Sequence, residues 1–366
     1  MPELERITIE GFKSIRSIVD LRLGDINILI GANGAGKSNF VGVFEFLRSI
    51  RQGELQNYVG KSGGAERILH FGSRTTEKIR IHIFFKDDVN QYEIELEPTI
   101  SEDLLPSRET AYFWGDKKMS GPFQHTLRRK GREAGISDEE ARDIAWHVRQ
   151  HLDRWRIYHF HDTGPKSPMK KTPDINDNRF LRADGSNLAA FLYFLRKKHP
   201  GEYGQIVKAI QRVAPFFRDF DLAPDRLNDK IIRLEWRHAD SDAFFDVSSL
   251  SDGSLRFMAL ATLLLQPKEL RSSVILMDEP ELGLHPLAIT MLASLIKQAS
   301  HNSQLIISTQ SSLLLDHFEP RDIMVAELED GGTTINRLDT EQLSEWLEDY
   351  SLGQLWEKNE IGGRPS

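Results

Sequence analysis

The apolar positions of the chain fall into two rhythms. Near the start they alternate. Ile7 and Ile9, then Ile18, Leu21 and Leu23, predict short strands over 5–10 and 17–23, on either side of Gly11-Phe12-Lys13-Ser14. The run Ile26-Asn27-Ile28-Leu29-Ile30 predicts a third strand. Phe40, Val43, Phe44 and Leu47 then recur at helical spacing, so a helix is expected from about Ser38 to Arg51. Period two returns at Ile79, Ile81 and Ile83 and again at Tyr92, Ile94 and Leu96, which predicts a hairpin turned at 87–90.

The pattern changes near Pro98. From about 101 to 178 it reads as polar and helical, with loop-like clusters at 115–122 and 162–174. Ser137-Asp138-Glu139-Glu140 has the form of a capping box and predicts a helix running to about His151. Helices are expected over 186–198 and 202–217, and strands over 230–236 and 243–247. From 250 the order is helix (251–265), strand (273–277), helix (286–299), strand (304–308), helix (312–317) and two strands (322–328, 333–337). Strands alternating with helices imply a mainly parallel sheet. Val274–Met277 and Leu305–Ile307 suit central strands buried on both faces. No heptad pattern persists, so no long coiled-coil arm is expected.

With 366 residues, 39% hydrophobic and 28% charged, the chain suits one large or two ordinary soluble domains. No apolar run is long enough to span a membrane and no secretory pattern opens the chain, so a cytoplasmic, membrane-free protein is expected. The absence of cysteine excludes disulfides, thiolate zinc sites and a thiol nucleophile. The net charge of −8 is uneven: residues 101–200 hold 19 Lys and Arg against 14 Asp and Glu. A basic middle on an acidic body suits an anionic partner. A solvated helical surface of mixed charge accounts for it equally.

The chemistry is concentrated in a few segments. Gly31-Ala32-Asn33-Gly34-Ala35-Gly36-Lys37-Ser38 has the form G-x-x-x-x-G-K-[ST], set between an expected strand and an expected helix. Its glycines let backbone N–H groups close on a phosphate chain. Gly31, Asn33, Gly34, Ala35, Gly36, Lys37, Ser38 and Asn39 are the candidate ATP-binding residues. Lys37 can reach the β- and γ-phosphates, and the Ser38 hydroxyl can ligate Mg²⁺. Asp278 and Glu279 end an apolar strand. Asp278 suits a Mg²⁺ ligand and Glu279 a base that polarises the attacking water.

Leu250-Ser251-Asp252-Gly253-Ser254 resembles the signature motif of ABC-type ATPases, which reads Leu-Ser-Gly-Gly-Gln in transporters. The resemblance implies that Ser251 and Gly253 grip the γ-phosphate held by a second copy, two chains sandwiching two ATP molecules. Glu281-Leu282-Gly283-Leu284-His285-Pro286 stands at the place of the family's D-loop. Leu305-Ile306-Ile307-Ser308-Thr309-Gln310-Ser311 matches the strand leading to its switch histidine, here replaced by Gln310. Gln310 can hydrogen-bond a phosphate oxygen or water but carries no charge. His285 is read as a helix cap before Pro286 or as a substitute for the missing histidine.

The opening Ile7-Thr8-Ile9-Glu10-Gly11-Phe12-Lys13-Ser14-Ile15 is similar to that of the RecF, SMC and OLD branch. The tail, 350–365, looks like that of stand-alone ATPases of bacterial anti-phage defence operons, commonly encoded beside a nuclease-type protein. The implied fold is an α/β ABC-type P-loop ATPase head, with a mainly parallel core sheet, an antiparallel β subdomain and a mostly helical insertion. Residues 1–100 would form the N-terminal lobe, 101–180 the basic insertion, 181–320 the C-terminal lobe and 321–366 an acidic tail segment.

The implied function is ATP hydrolysis by a homodimer or higher oligomer that senses a trigger and regulates a separate nuclease-type or other effector. A RecF-like DNA-repair ATPase is the alternative, with Lys117, Lys118, Arg128, Arg129, Lys130 and Arg132 beside Phe113, Trp114 and Phe123 as a candidate DNA surface, and Arg196-Lys197-Lys198 as a second. A scaffold that binds ATP without turnover is a third reading. His147 and His151, followed by His159 and His161, have helical spacing but no accompanying ligand set; they suit a polar helix face better than zinc.

Overall fold

The computed structural model describes residues 3–115, 121–138 and 144–363. They divide into two compact units, one built from the stretches up to Trp155 and from Glu319 on, the other from Arg156–Phe318.

The first unit opens with β1 (Leu4–Phe12), β2 (Ile15–Arg22) and β3 (Ile26–Ile30), then α1 (Lys37–Arg51), α2 (Leu55–Lys61) and α3 (Ala65–Ile68). Next come β4 (Ile79–Phe85), β5 (Asn90–Pro98), β6 (Leu104–Phe113), β7 (Phe123–Thr126) and α4 (Ala145–Asp153). An antiparallel sheet runs in the order β2-β1-β4-β5-β6-β7. Its register aligns Ile9 with Ile18 and Ile81, and Ile81 with Ile94, so one face is an apolar ladder. The apolar stripe of α1 is buried as its spacing requires, with Phe46 against Phe12 and Phe44 against Trp155.

The stretch expected to be helical from 101 contains strands. β6 pairs with β5 and β7 with β6. Two features mask β6 in the sequence. The register shifts opposite Pro106, and a carboxylate, Glu109, occupies a buried position at 2% exposure. Glu109 is satisfied there by the N–H groups of Gly135 and Ile136 and the hydroxyl of Tyr92. Helix α4 starts at Ala145 rather than Ser137, which closes a short 3₁₀ turn; Glu139 and Glu140 lie outside the described residues, as do Lys117 and Lys118.

β8 (Trp155–Tyr158) begins on the last residue of the first unit's opening stretch; the second unit continues with α5 (Leu188–Lys198), α6 (Pro200–Val213), β9 (Phe217–Asp221), β10 (Glu235–His238) and β11 (Phe244–Asp246). It continues with α7 (Asp252–Leu265), β12 (Val274–Asp278), α8 (Pro286–Ser300), β13 (Gln304–Ser308) and α9 (Ser312–Leu315). β12 and β13 are parallel, in register from Val274↔Gln304 to Asp278↔Ser308. Both are apolar and buried on both faces, as expected of central strands. α7 is buried all round from Leu255 to Leu265. The strand expected over 230–236 begins only at Glu235; Ile231 and Ile232 make isolated bridges to Asp174 and Pro224 instead.

The chain returns to the first unit with β14 (Ile323–Glu329), β15 (Gly332–Arg337), α10 (Thr340–Leu343), α11 (Trp346–Asp349) and α12 (Leu352–Glu357). β14 runs parallel to β3 and antiparallel to β15. Among the described residues, no helix is long and apolar enough to cross a membrane.

Candidate functional site

The phosphate loop leaves the buried end of β3 and enters α1 directly. Glycine is required at both of its ends. Gly31 has φ 152°, and a Cβ there would collide with the Ala326 carbonyl on β14. Gly36 has φ 98°, and a Cβ would collide with Thr333 and stand 2.7 Å from Ser14 Oγ. The Thr333 hydroxyl is shared between Ser14 Oγ at 2.7 Å and the Ala35 carbonyl at 3.0 Å, and Asn39 donates to the same Ser14 oxygen at 2.7 Å. Asn33, Gly34 and Ser38 are exposed, whereas Lys37 is buried. Lys37 Nζ donates to the carbonyls of Gly31 at 2.6 Å and Ala32 at 3.0 Å. α1 begins with no side-chain cap and no acidic residue in its first turn. Its first N–H groups are therefore placed to accept an anion, with the helix dipole in support.

The second unit assembles the carboxylates. Asp278 closes β12, and the hydroxyl of Ser308, its register partner on β13, donates to its Oδ1. Glu279 follows with φ 39°, unusual for a non-glycine residue, its N–H donating to the Ser308 carbonyl at 2.8 Å. Such a conformation costs about 1–3 kcal/mol and is found where surrounding structure enforces it, often at functional sites. Gln310 Nε2 donates to Glu279 Oε1, which joins the two residues that the sequence singles out at the ends of β12 and β13. Glu281 is buried, and burial pushes its carboxyl above the usual range, against the hydroxyl of Thr309 that donates to it.

Sequence reasoning did not assign His161 and Arg256 to this site. Both line a cavity of about 10 Å³ with Asp278 and Glu279, room for about one water. Burial lowers the His161 pKa, opposed by the nearby Asp278 charge. Arg256, on α7 and 5% exposed, donates to the carbonyls of Phe160 and His161, each at 2.9 Å. The only sequence signal for His161 is its place just after β8; its approach to Asp278 is a contact between distant parts of the chain.

Ser251 caps α7, its Oγ accepting from the Ser254 N–H at 3.2 Å. A Cβ on Gly253 would collide with the Gly283 carbonyl, so the first turn of α7 packs directly on loop 281–284. His285 caps α8, accepting from the Leu287 N–H at 3.4 Å, in agreement with the capping reading. His151 stacks on Phe85 and pairs with Glu3 at 2.8 Å. Among the described residues no cluster of three or more His, Asp or Glu could hold a metal alone. Mg²⁺ carried on nucleotide phosphates needs only one or two protein oxygens, and the Ser38 hydroxyl and the Asp278 carboxylate are of that hard-donor type. Of the basic residues, Arg132 pairs with Asp103, whereas Arg128, Arg129 and Lys130 are exposed. Arg196 bonds the Leu222 carbonyl, and the Lys197 ammonium lies 5.6 Å from the Tyr193 ring centre.

A protein-family model described as "AAA domain, putative AbiEii toxin, Type IV TA system" matches residues 26–316. The DNA double-strand break repair Rad50 ATPase of Sulfurisphaera tokodaii is 32% identical over 111 residues, 29% of this chain and 12% of that protein. The chain thus spans a small part of that relative's length. An Smc head bound to the C-winged helix domain of ScpA matches with a TM-score of 0.63 at 18% identity, over 94% of this chain and 100% of that one. An Smc head domain with an extended coiled coil, bound to the C-terminal domain of ScpA and derived from Pyrococcus furiosus, matches with a TM-score of 0.62 at 15% identity, over 95% and 99%. At these identities the two structures establish the fold, that of an ABC-type ATPase head.

Proposed function

The chain belongs to this AAA-domain family, and from that premise we propose that it binds ATP with Mg²⁺, hydrolyses it, and uses the cycle to regulate a separate effector protein in bacterial defence. Lys37 and the loop amides hold the phosphates. Ser38 and Asp278 hold the ion, which when bound neutralises charge developing on the phosphoryl group. Glu279 takes up the proton of the attacking water, and Gln310 orients both. Ser251 and Gly253 complete the site of a second copy. The γ-phosphate then makes contacts available only in the closed dimer, and hydrolysis withdraws them. Residues 1–100 and 181–320 act as the two ATPase lobes; residues 101–180 and the partner receive the motion.

The observation that carries this reading is Glu279, strained at φ 39° and bonded by Gln310 at the end of β12. Phosphate release by the purified chain, abolished in Lys37→Ala, tests it. Equal release by the two chains would contradict it.

A second reading, direct DNA binding, draws on the exposed Arg128, Arg129 and Lys130 and on the Rad50 relative, whose name places it in double-strand break repair. ATP-dependent DNA affinity that falls steeply with salt would favour it. Absence of DNA affinity, with a nuclease-like protein copurifying, favours the effector.

A further inference from the structure

We propose that the segment after α12 is a clamp on the phosphate loop, with Gly363 as a positioning residue for nucleotide binding. Leu352 and Leu355 on α12, and Ile361 beyond it, are buried and anchor the segment within the first unit. The backbone then turns through Gly362 and Gly363, with φ of 76° and 75°. Gly363 arrives beside the loop's first residue. A Cβ built on it stands 2.8 Å from Val325 Cγ1 and 3.2 Å from the Gly31 Cα. Its N–H donates to Glu327 Oε1 at 3.0 Å.

Gly31 is therefore crowded by two neighbours. The Ala326 carbonyl of β14 leaves no space for a Cβ on Gly31, and a Cβ on Gly363 would stand 3.2 Å from the Gly31 Cα. The Gly31 carbonyl is also the nearer acceptor of Lys37 Nζ, at 2.6 Å. Glu327, Gly363, Gly31 and Lys37 thus stand in series: Glu327 accepts from the Gly363 N–H, Gly363 has no room for a side chain beside the Gly31 Cα, and the Gly31 carbonyl accepts from the ammonium that is to meet the phosphates. A phosphate cradle made of backbone N–H groups works by being held in place beforehand, and a displacement near 1 Å is costly. The tail supplies one wall of that support. A side chain at Gly363 would force the wall away, and one at Gly362 would displace the Glu327 carboxylate.

The proposal rests on the nucleotide-binding reading, and one titration separates the two. Mant-ATP with Mg²⁺ is titrated into the full chain and into Gly363→Ala, Glu327→Ala and Glu327→Gln, well below their melting temperatures. Ile94→Val, a change on β5 in the antiparallel sheet, controls for general destabilisation. Gly363→Ala and Glu327→Ala are expected to weaken binding about five- to tenfold. Glu327→Gln, which keeps the acceptor, and Ile94→Val should stay within about twofold of the parent. Parent binding with Gly363→Ala and Glu327→Ala unchanged would overturn the clamp alone, as would an equal loss in Ile94→Val. No binding by the parent would overturn the nucleotide reading and the clamp with it.

Discussion

Replacing Glu279 by glutamine should stop hydrolysis and leave the fold intact. The carboxamide has the size of the carboxylate and retains Oε1 as acceptor for Gln310 Nε2. Its backbone keeps φ 39°, so the local strain, about 1–3 kcal/mol, is the same in parent and variant. Stability should therefore change by less than about 0.5 kcal/mol. What is lost is the group proposed to take the water's proton. General-base catalysis contributes about 10²–10⁴-fold, equivalent to about 2.7–5.5 kcal/mol of barrier. Steady-state phosphate release at saturating ATP should fall by that factor, with the mant-ATP Kd unchanged within about twofold.

Glu279→Gly supplies the counterpart. Relief of a left-handed conformation gains about 1–2 kcal/mol. The greater freedom of unfolded glycine costs about 0.5–1 kcal/mol, and the lost bond to Gln310 about as much again. The glycine chain should thus be as stable as the parent within about 1 kcal/mol and just as inactive as the glutamine chain. Release by Glu279→Gln within tenfold of the parent would refute the assignment of Glu279.

Two further outcomes follow from the same unit. His161→Ala should lower kcat about tenfold or more while leaving the mant-ATP Kd within about twofold, because the imidazole lines the one-water cavity beside Asp278 and Glu279; an unchanged kcat removes it from the mechanism. Burial holds the Glu281 carboxyl above its ordinary value of 4.5, so its contribution to stability is full below that pH and is lost as pH rises through the folded-state value. Glu281→Gln cannot ionise, and its melting temperature should fall less than the parent's between about pH 4 and 8; parallel profiles would contradict the assigned burial cost.

The parts that could be read from the sequence are those made by neighbours in the chain. The phosphate loop lies between a five-residue apolar strand and a helix with a regular stripe, and each is visible within a short window. Likewise β12 and β13 are unbroken apolar runs. β6 was hidden because a buried Glu109 interrupts its alternation, and its compensating N–H groups come from Gly135 and Ile136, far along the chain. His161 and Gly363 were hidden for the same reason. One meets carboxylates more than a hundred residues away, and the other meets Gly31 from the far end of the chain. No local periodicity records such meetings.

In the proposed cycle ATP joins two copies through Ser251. The decisive measurement is the solution mass of Glu279→Gln with and without ATP and Mg²⁺, repeated with Ser251→Arg added. An ATP sandwich gives the 41.9 kDa chain mass without nucleotide, twice that mass with ATP, and the single-chain mass under both conditions once Ser251 is replaced. A mass that ignores ATP, or an ATP-dependent dimer that forms equally well with arginine at position 251, would contradict it.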